Sequence, residues 1–227
     1  MEAVVKRELI KSGFDPGGAV YGRIPFKGGL SDAVRLNMTL RTANRVYLCI
    51  TRGAAVTFDE VYDRVRAVPF SDFIPDNAKI VVNASSHKSK LFALSALQKV
   101  TKRAVADAMG GRLSETGETY RFTVDVSDDN MTLLLDTSGD ALHKRGYRKL
   151  MGEAPLSETL AAALLLLTGY KGGVMIDPFC GSGTLPIEAA LIATNTAPGL
   201  KRRFSFENYP IFPEQITERI REELTSE

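Results

Sequence analysis

Residues 174–184, Val-Met-Ile-Asp-Pro-Phe-Cys-Gly-Ser-Gly-Thr, constrain this chain more than any other stretch. A short apolar run ends in an acid, a glycine turn follows at once, and residues 185–193 then carry a helical pattern. Strand, tight turn and helix in that order open a doubly wound α/β domain, whose ligands lie beyond the carboxyl ends of the strands. Gly181 and Gly183 lack a Cβ, so the backbone can bend sharply there and approach a ligand. The helix behind them begins with N–H groups that have no partner inside the helix. The plainer alternative is a turn that only joins strand to helix.

The same residues narrow the ligand. A phosphate-gripping P-loop needs Gly-Lys-Ser/Thr, which is missing, and the pyrophosphate fingerprint needs a third glycine where Leu185 and Pro186 stand. A ligand without phosphates is favoured, with Asp177 at the strand's carboxyl end beside it. Cys180 is read as a small residue filling the turn rather than a nucleophile, since no histidine is near it in sequence. It has no companion ligands, so no metal is expected.

Elsewhere the pattern is mixed. The 227 residues are 44% hydrophobic with a formal charge of +2, enough for a real core and too neutral for nucleic-acid binding except through local patches. Two cysteines, Cys49 and Cys180, imply no disulfide framework and fit a reducing compartment. No apolar run is long enough to span a bilayer and Met1–Gly13 does not read as a signal peptide, so the cytoplasm is the expected location. Helices are predicted at 1–12, from Ser31 as cap to Arg41, 58–68 behind Thr57, and 91–109 before Gly110-Gly111. Strands are predicted at 19–26, 45–51 and 79–84, with a basic turn at 85–90 and a hairpin of 120–126 and 131–136 around Asp128-Asp129-Asn130. After 136 the pattern fades into a glycine-rich, basic linker. Pro155 then opens an Ala/Leu helix closed by Gly169 and apolar nearly all round, which predicts burial. Residues 204–212, with their aromatics and proline, read as a docking segment.

Two basic clusters invite a nucleic-acid reading. Lys88, Lys90, Lys99 and Arg103, with Lys102, flank or line the 91–109 helix, and Lys99 and Arg103 share a face. Lys144, Arg145 and Arg148 surround Tyr147 in the linker, a mixture suited to phosphate contact and base stacking. Solvated surface charge is the plainer account of both. Lys201-Arg202-Arg203 is read as a solubilising loop.

Asp177-Pro178-Phe179-Cys180-Gly181-Ser182-Gly183-Thr184, continued by Glu188-Ala189-Ala190, resembles motif I of S-adenosylmethionine-dependent RNA methyltransferases. Leu142–Arg148 and Ala154–Ala163 make the resemblance more specific, and Leu40–Val46 extends it toward the start. Together they resemble the THUMP-domain RNA methyltransferases, most closely the bacterial large-subunit (23S) rRNA guanine-N2 enzymes. The resemblance implies an α+β region, 1–140, of ferredoxin-like segment plus THUMP RNA-binding domain. A linker at 141–153 and the first part of an α/β Rossmann-type methyltransferase domain at 154–227 follow. It implies S-adenosylmethionine as cofactor, held by Ala154, Pro155, Leu156, Asp177, Phe179, Gly181 and Gly183, with Glu158 and Thr159 either assisting or capping the helix. It implies RNA, most simply rRNA, as partner.

Two departures accompany it. The family's catalytic Asn/Asp-Pro-Pro-Tyr/Phe run, which grips the target amino group and stacks on the base, is absent from these residues. No acid is identifiable for the cofactor ribose, and Glu207 is a poor stand-in. An opening strand is missing as well. The expectation is therefore a shortened product or one half of a split gene, inactive in methyl transfer by itself. An isolated first βα unit also leaves a sheet edge and an apolar helix uncovered, which predicts self-association or a second polypeptide completing the sheet. The rival expectations are a stand-alone THUMP RNA-binding module with a vestigial methyltransferase segment, and a DNA amino-methyltransferase.

Overall fold

The computed structural model describes residues 1–111, 114, 116–147 and 156–226. They form two compact units, one of residues 1–46, 140–207 and 213–227, the other of 47–139 and 208–212. Each is built around its own core.

The chain opens with helix α1, Glu2–Lys11, which buries Val4 and Leu9 and is stopped by left-handed Gly13 (φ 86°). Helix α2, Leu30–Thr39, follows. Its cap is Gly29 rather than Ser31: the Asp32 carboxylate accepts the Gly29 N–H at 2.8 Å, satisfying a donor that the helix itself cannot. The strand expected at 19–26 does not form. Val20 and Arg23 instead pair across a two-residue turn with Tyr21 and Gly22 both at positive φ (45° and 81°). Pro25 has no N–H to offer a ladder, and no neighbouring strand lies alongside among the described residues.

The second unit carries the four-stranded sheet, in the order β1-β4-β3-β2. Strand β1 is Tyr47–Ala54, helix α3 Phe58–Arg66, strand β2 Lys79–His87, helix α4 Leu94–Ala108, strand β3 Thr119–Ser127 and strand β4 Asn130–Asp136. Thr57 caps α3 as expected: its hydroxyl accepts the Glu60 N–H while the Glu60 carboxylate accepts the Thr57 N–H at 3.0 Å. Helix α4 is the crossover that lets β2 and β3 run parallel. The hairpin expected at 128–130 is present. Asp128 and Asp129 take φ of 50° and 60°, the left-handed pair that matches strand twist in a two-residue turn. The basic turn is shorter than read, because Ser85–His87 continue β2 and only Lys88 onward turns. Tyr120, Phe122, Val124, Val126, Met131, Leu133 and Leu135 fill the core. Tyr209 stacks on Tyr120 with ring centroids 4.4 Å apart, and its hydroxyl donates to the Asp136 carbonyl at 3.0 Å.

In the first unit the chain resumes with helix α5, Glu158–Leu167, helix α6, Thr184–Ala193, and helix α7, Glu214–Ser226. The sequence reading missed α7, although Pro213-Glu214 is a fair helix start and Thr217, Ile220 and Leu224 repeat at helical spacing and are buried. Phe204 and Phe206, from the expected docking segment, are buried and stack at 5.3 Å. Helix α5 departs from expectation. Its Ala161, Ala162, Ala163 and Leu165 are buried, but Leu160, Leu164 and Leu167 form an exposed apolar stripe. Only one side of the helix finds a partner among the described residues. None of the helices is long and apolar enough to cross a membrane, among the described residues.

Candidate functional site

The glycine turn has the backbone that its sequence requires. Gly181 and Gly183 lie at φ of 53° and 76°, which L side chains rarely adopt, and Gly183 is the residue before α6. No side chain caps that helix, so the amides of Thr184 and Leu185 have no intrahelical acceptor. Pro186 sits in the first turn, where a missing N–H costs nothing. Little stands over the turn: a Cβ added to Gly181 would meet nothing closer than 3.9 Å, and one on Gly183 nothing closer than 3.7 Å. Asp177 Oδ1 accepts the Phe179 N–H at 3.2 Å and holds the bend.

The residues before the turn are another matter. Residues 174–177 have no regular secondary structure and pair with no strand, so the strand expected at 174–176 is absent among the described residues. Val174 is 95% exposed and Phe179 92% exposed, with Ile176 close behind. Strands persist through their neighbours' hydrogen bonds and a shared apolar face, and neither is supplied here. Cys180 is exposed rather than packed into the turn, which corrects the packing role expected of it. Leu156 precedes α5, while Ala154 and Pro155 lie outside the described residues.

The expected cofactor can be tested against this geometry. An open left-handed glycine turn at the head of a helix fits one wall of an S-adenosylmethionine site. No opposite wall exists among the described residues. Glu207 does not supply one: it accepts from the Phe204 N–H at 3.2 Å and from Arg221 Nη2 at 3.1 Å. No group of acids, histidines and cysteines suited to a metal occurs among the described residues.

The linker cluster is corrected more sharply. Arg145, expected to meet RNA, is buried. Its Nε faces Glu188 Oε1 at 3.5 Å, with side chains 2% and 0% exposed, and Nη1 donates to the Leu142 carbonyl at 2.7 Å. Nη2 donates to the Arg41 carbonyl. A guanidinium buried against Glu188 and its own chain's carbonyls is not presented to a phosphate. Tyr147 donates to the same Glu188 oxygen at 3.1 Å, which leaves it half-buried rather than presented for stacking. Burial pushes the Glu188 carboxyl up despite its cationic neighbours, and pushes the Tyr147 hydroxyl up as well. Glu188 Oε2 has no hydrogen-bond partner among the described residues. Thus 141–147 is a packed strap, not a solvated linker. Lys144 stays at the surface beside Asp140, and Arg148 lies outside the described residues. Arg202, read as part of a solubilising loop, is buried too, donating to the carbonyls of Ala141 and Lys144 at 2.8 and 3.0 Å and lying over the Phe204 ring.

The other cluster remains available. Lys88, Lys90 and Lys99 are exposed on the sheet unit. Arg103 is exposed but shared with Asp107 at 3.5 Å and with the Tyr62 ring.

Comparison with known proteins assigns the segments. Residues 1–47 match a family model described as the RlmL ferredoxin-like domain, 55–136 match the THUMP domain, and 145–226 match an RMKL-like methyltransferase domain. Taken in order, the matches are to a THUMP domain followed by part of an RlmL-like methyltransferase. The THUMP match falls within the sheet unit, after β1, and the methyltransferase match starts at Arg145 in the buried strap. Among relatives, YpsC of Bacillus subtilis, whose name assigns it provisionally to RNA methylation, is 39% identical over 92% of this chain and 56% of its own length. The ribosomal RNA large subunit methyltransferase K/L of Methylococcus capsulatus is 38% identical over 90% of the chain but 29% of its own. A solved Listeria monocytogenes protein, whose name assigns it provisionally as an N6-adenine-specific DNA methylase, superposes with a TM-score of 0.92 at 41% identity over 99% of this chain and 61% of its own. SMU.472, assigned provisionally as a methyltransferase and crystallised with SAH, superposes at 0.88 with 34% identity, again over 99% and 61%. The chain therefore spans between about a third and three fifths of the length of these relatives.

Proposed function

We propose that this chain belongs to an enzyme that methylates RNA, most simply a guanine-N2 position of 23S rRNA, with S-adenosylmethionine as donor. The observation that carries this is the pairing of a THUMP domain with an open left-handed glycine turn at the head of α6. When bound, S-adenosylmethionine supplies a methyl group made electrophilic by its sulfonium charge. The chain's own part is placement: Gly181 and Gly183 allow close backbone approach, and Asp177 keeps the bend. Leu156 lies on the adjoining segment, and Ala154 and Pro155 are proposed to complete it. The domain limits proposed are 1–140 for the ferredoxin-like and THUMP region, 141–153 for the connection and 154–227 for the methyltransferase portion. The cytoplasm is the proposed location. Lys88, Lys90, Lys99 and Arg103 are the proposed RNA contacts, with Lys144 and Arg148.

The exposed stripe of α5 and the unpaired 174–179 segment support a further element of the proposal. A sheet supplied by more of the enzyme, by a second polypeptide or by another copy would cover them. They equally favour the second reading, a stand-alone THUMP RNA-binding module in which 154–227 is a vestigial methyltransferase segment.

Calorimetry of the 227-residue chain with S-adenosylmethionine separates the two. Binding that is lost in Gly183→Val supports the half-site, and no detectable heat supports the module. Filter binding of rRNA fragments against duplex DNA tests the substrate class, since the provisional naming of the Listeria relative as a DNA methylase points to the opposite preference.

A further inference from the structure

From Lys79 to Ala106 the chain carries six lysines and arginines and no aspartate or glutamate, in a protein whose whole charge is only +2. The loop joining β2 to α4 lies inside that stretch, and Phe92 stands at its end. Phe92 is 79% exposed and is the only exposed aromatic among the described residues of the sheet unit. A ring left in water is common enough singly. This one differs in how it is held. Leu91 beside it is buried, which anchors the backbone on one side, and α4 begins two residues later on the other. Asp129, in the hairpin turn, accepts the Lys90 N–H at 2.9 Å and the Ser89 hydroxyl at 3.0 Å. The Ser89 hydroxyl in turn accepts the Leu91 N–H at 3.1 Å. The one acid at the loop is thus occupied by backbone and hydroxyl donors. The side chains of Lys88 and Lys90 project exposed on the same short loop as the ring.

We infer that Phe92 is a stacking platform for one unpaired nucleobase of RNA, with Lys88 and Lys90 holding the flanking phosphates. The chemistry is complementary on both counts. Every base has an apolar face that a rigid aromatic can cover, and the cations meet the backbone that carries it. A loop fixed before binding spares the ordering cost that a mobile ring would incur. The inference rests on the RNA reading proposed above and adds to it a residue and a mode: unpaired rather than helical RNA at this loop.

The test is fluorescence anisotropy of the full 227-residue chain with a labelled single-stranded RNA 12-mer and with a fully paired RNA duplex. Phe92→Ala is expected to weaken single-strand binding about ten-fold while leaving duplex binding and the melting temperature unchanged. Lys90→Ala is expected to weaken both RNAs and to make the single-strand salt dependence shallower by about 0.7 in the log–log slope. The chain has no tryptophan, so Phe92→Trp provides a unique reporter. It should bind like the parent, with emission quenched by single strand and not by duplex. Single-strand binding that survives Phe92→Ala at parental strength, or Phe92→Trp emission indifferent to RNA, overturns the platform and leaves the RNA reading standing. Absence of RNA binding by the parent overturns both. Loss of a protein contact in Phe92→Ala with RNA binding intact would reassign the ring to a protein partner.

Discussion

Arg145 shows how much a single side chain's surroundings decide. In sequence it sits among bases and an aromatic, as a phosphate contact would. In the fold it is the counter-ion of Glu188, both out of water. Removing one partner of such a pair leaves a buried charge uncompensated, at a cost of about 3–5 kcal/mol. Arg145→Ala is therefore expected to lower the urea midpoint strongly, and Arg145→Met combined with Glu188→Gln to recover much of that loss. A surface RNA contact would show the reverse, with stability kept and RNA affinity reduced. Tyr120 makes a second prediction. Its hydroxyl is buried without a hydrogen-bond partner among the described residues, and burial pushes its pKa up to about 12. The neutral form is favoured by folding, so its contribution is complete below the unfolded value near 10 and is lost as pH rises toward 12. Absorbance titration at 295 nm should show Tyr120 ionising late, together with a stability decline confined to that alkaline window. Tyr120→Phe should flatten the decline.

At the scale of elements, the caps are local and the faces are not. Thr57 and Glu60 satisfy each other's amides without help from the rest of the unit. Thr57→Ala should cost about 1 kcal/mol, read as a shift of the denaturant midpoint at constant slope. Helix α5 depends instead on what lies beside it. Leu160, Leu164 and Leu167 repeat at spacings of four and three, so they share one face, and that face is exposed. Leu164→Asp should cost about 1 kcal/mol, since Leu164 is 43% exposed and only part of its apolar surface is buried. It should also reduce any concentration-dependent association seen by light scattering. A chain that is monomeric at all concentrations, with or without the substitution, would mean that the stripe makes no contact between copies.

At the scale of the molecule, the two compact units are interleaved in sequence: 1–46 belongs with 140–207, and 208–212 with the sheet. Sequence order suggested a single amino-terminal region to residue 140, whereas the sheet unit holds 47–139 without the first 46 residues. The early helices are the exception, since α1 and α2 pack in the unit that holds α5, α6 and α7. Gly199 illustrates that packing. Its N–H donates to the Met38 carbonyl at 2.8 Å, and a Cβ there would fall 2.8 Å from Met38 Cα. Gly199→Val should destabilise this unit without altering the sheet unit, visible by amide exchange as loss of protection in α2 and α7 only.

What could be read directly was whatever short-range chemistry dictates. The Asp128-Asp129 turn, the Thr57 cap, the glycine stops and the left-handed bend at Gly181 and Gly183 all follow from one or two residues' own conformational limits, and the family motif lies in the last of these. What could not be read was which apolar or charged groups find partners far along the chain. Val174 and Ile176 have the composition of a core strand and lie in solvent, because a strand exists only beside another. Arg145 and Arg202 have the composition of a surface and lie inside, because carbonyls and a carboxylate from distant segments converge on them. Local torsion is a property of the residue; burial is a property of everything that surrounds it.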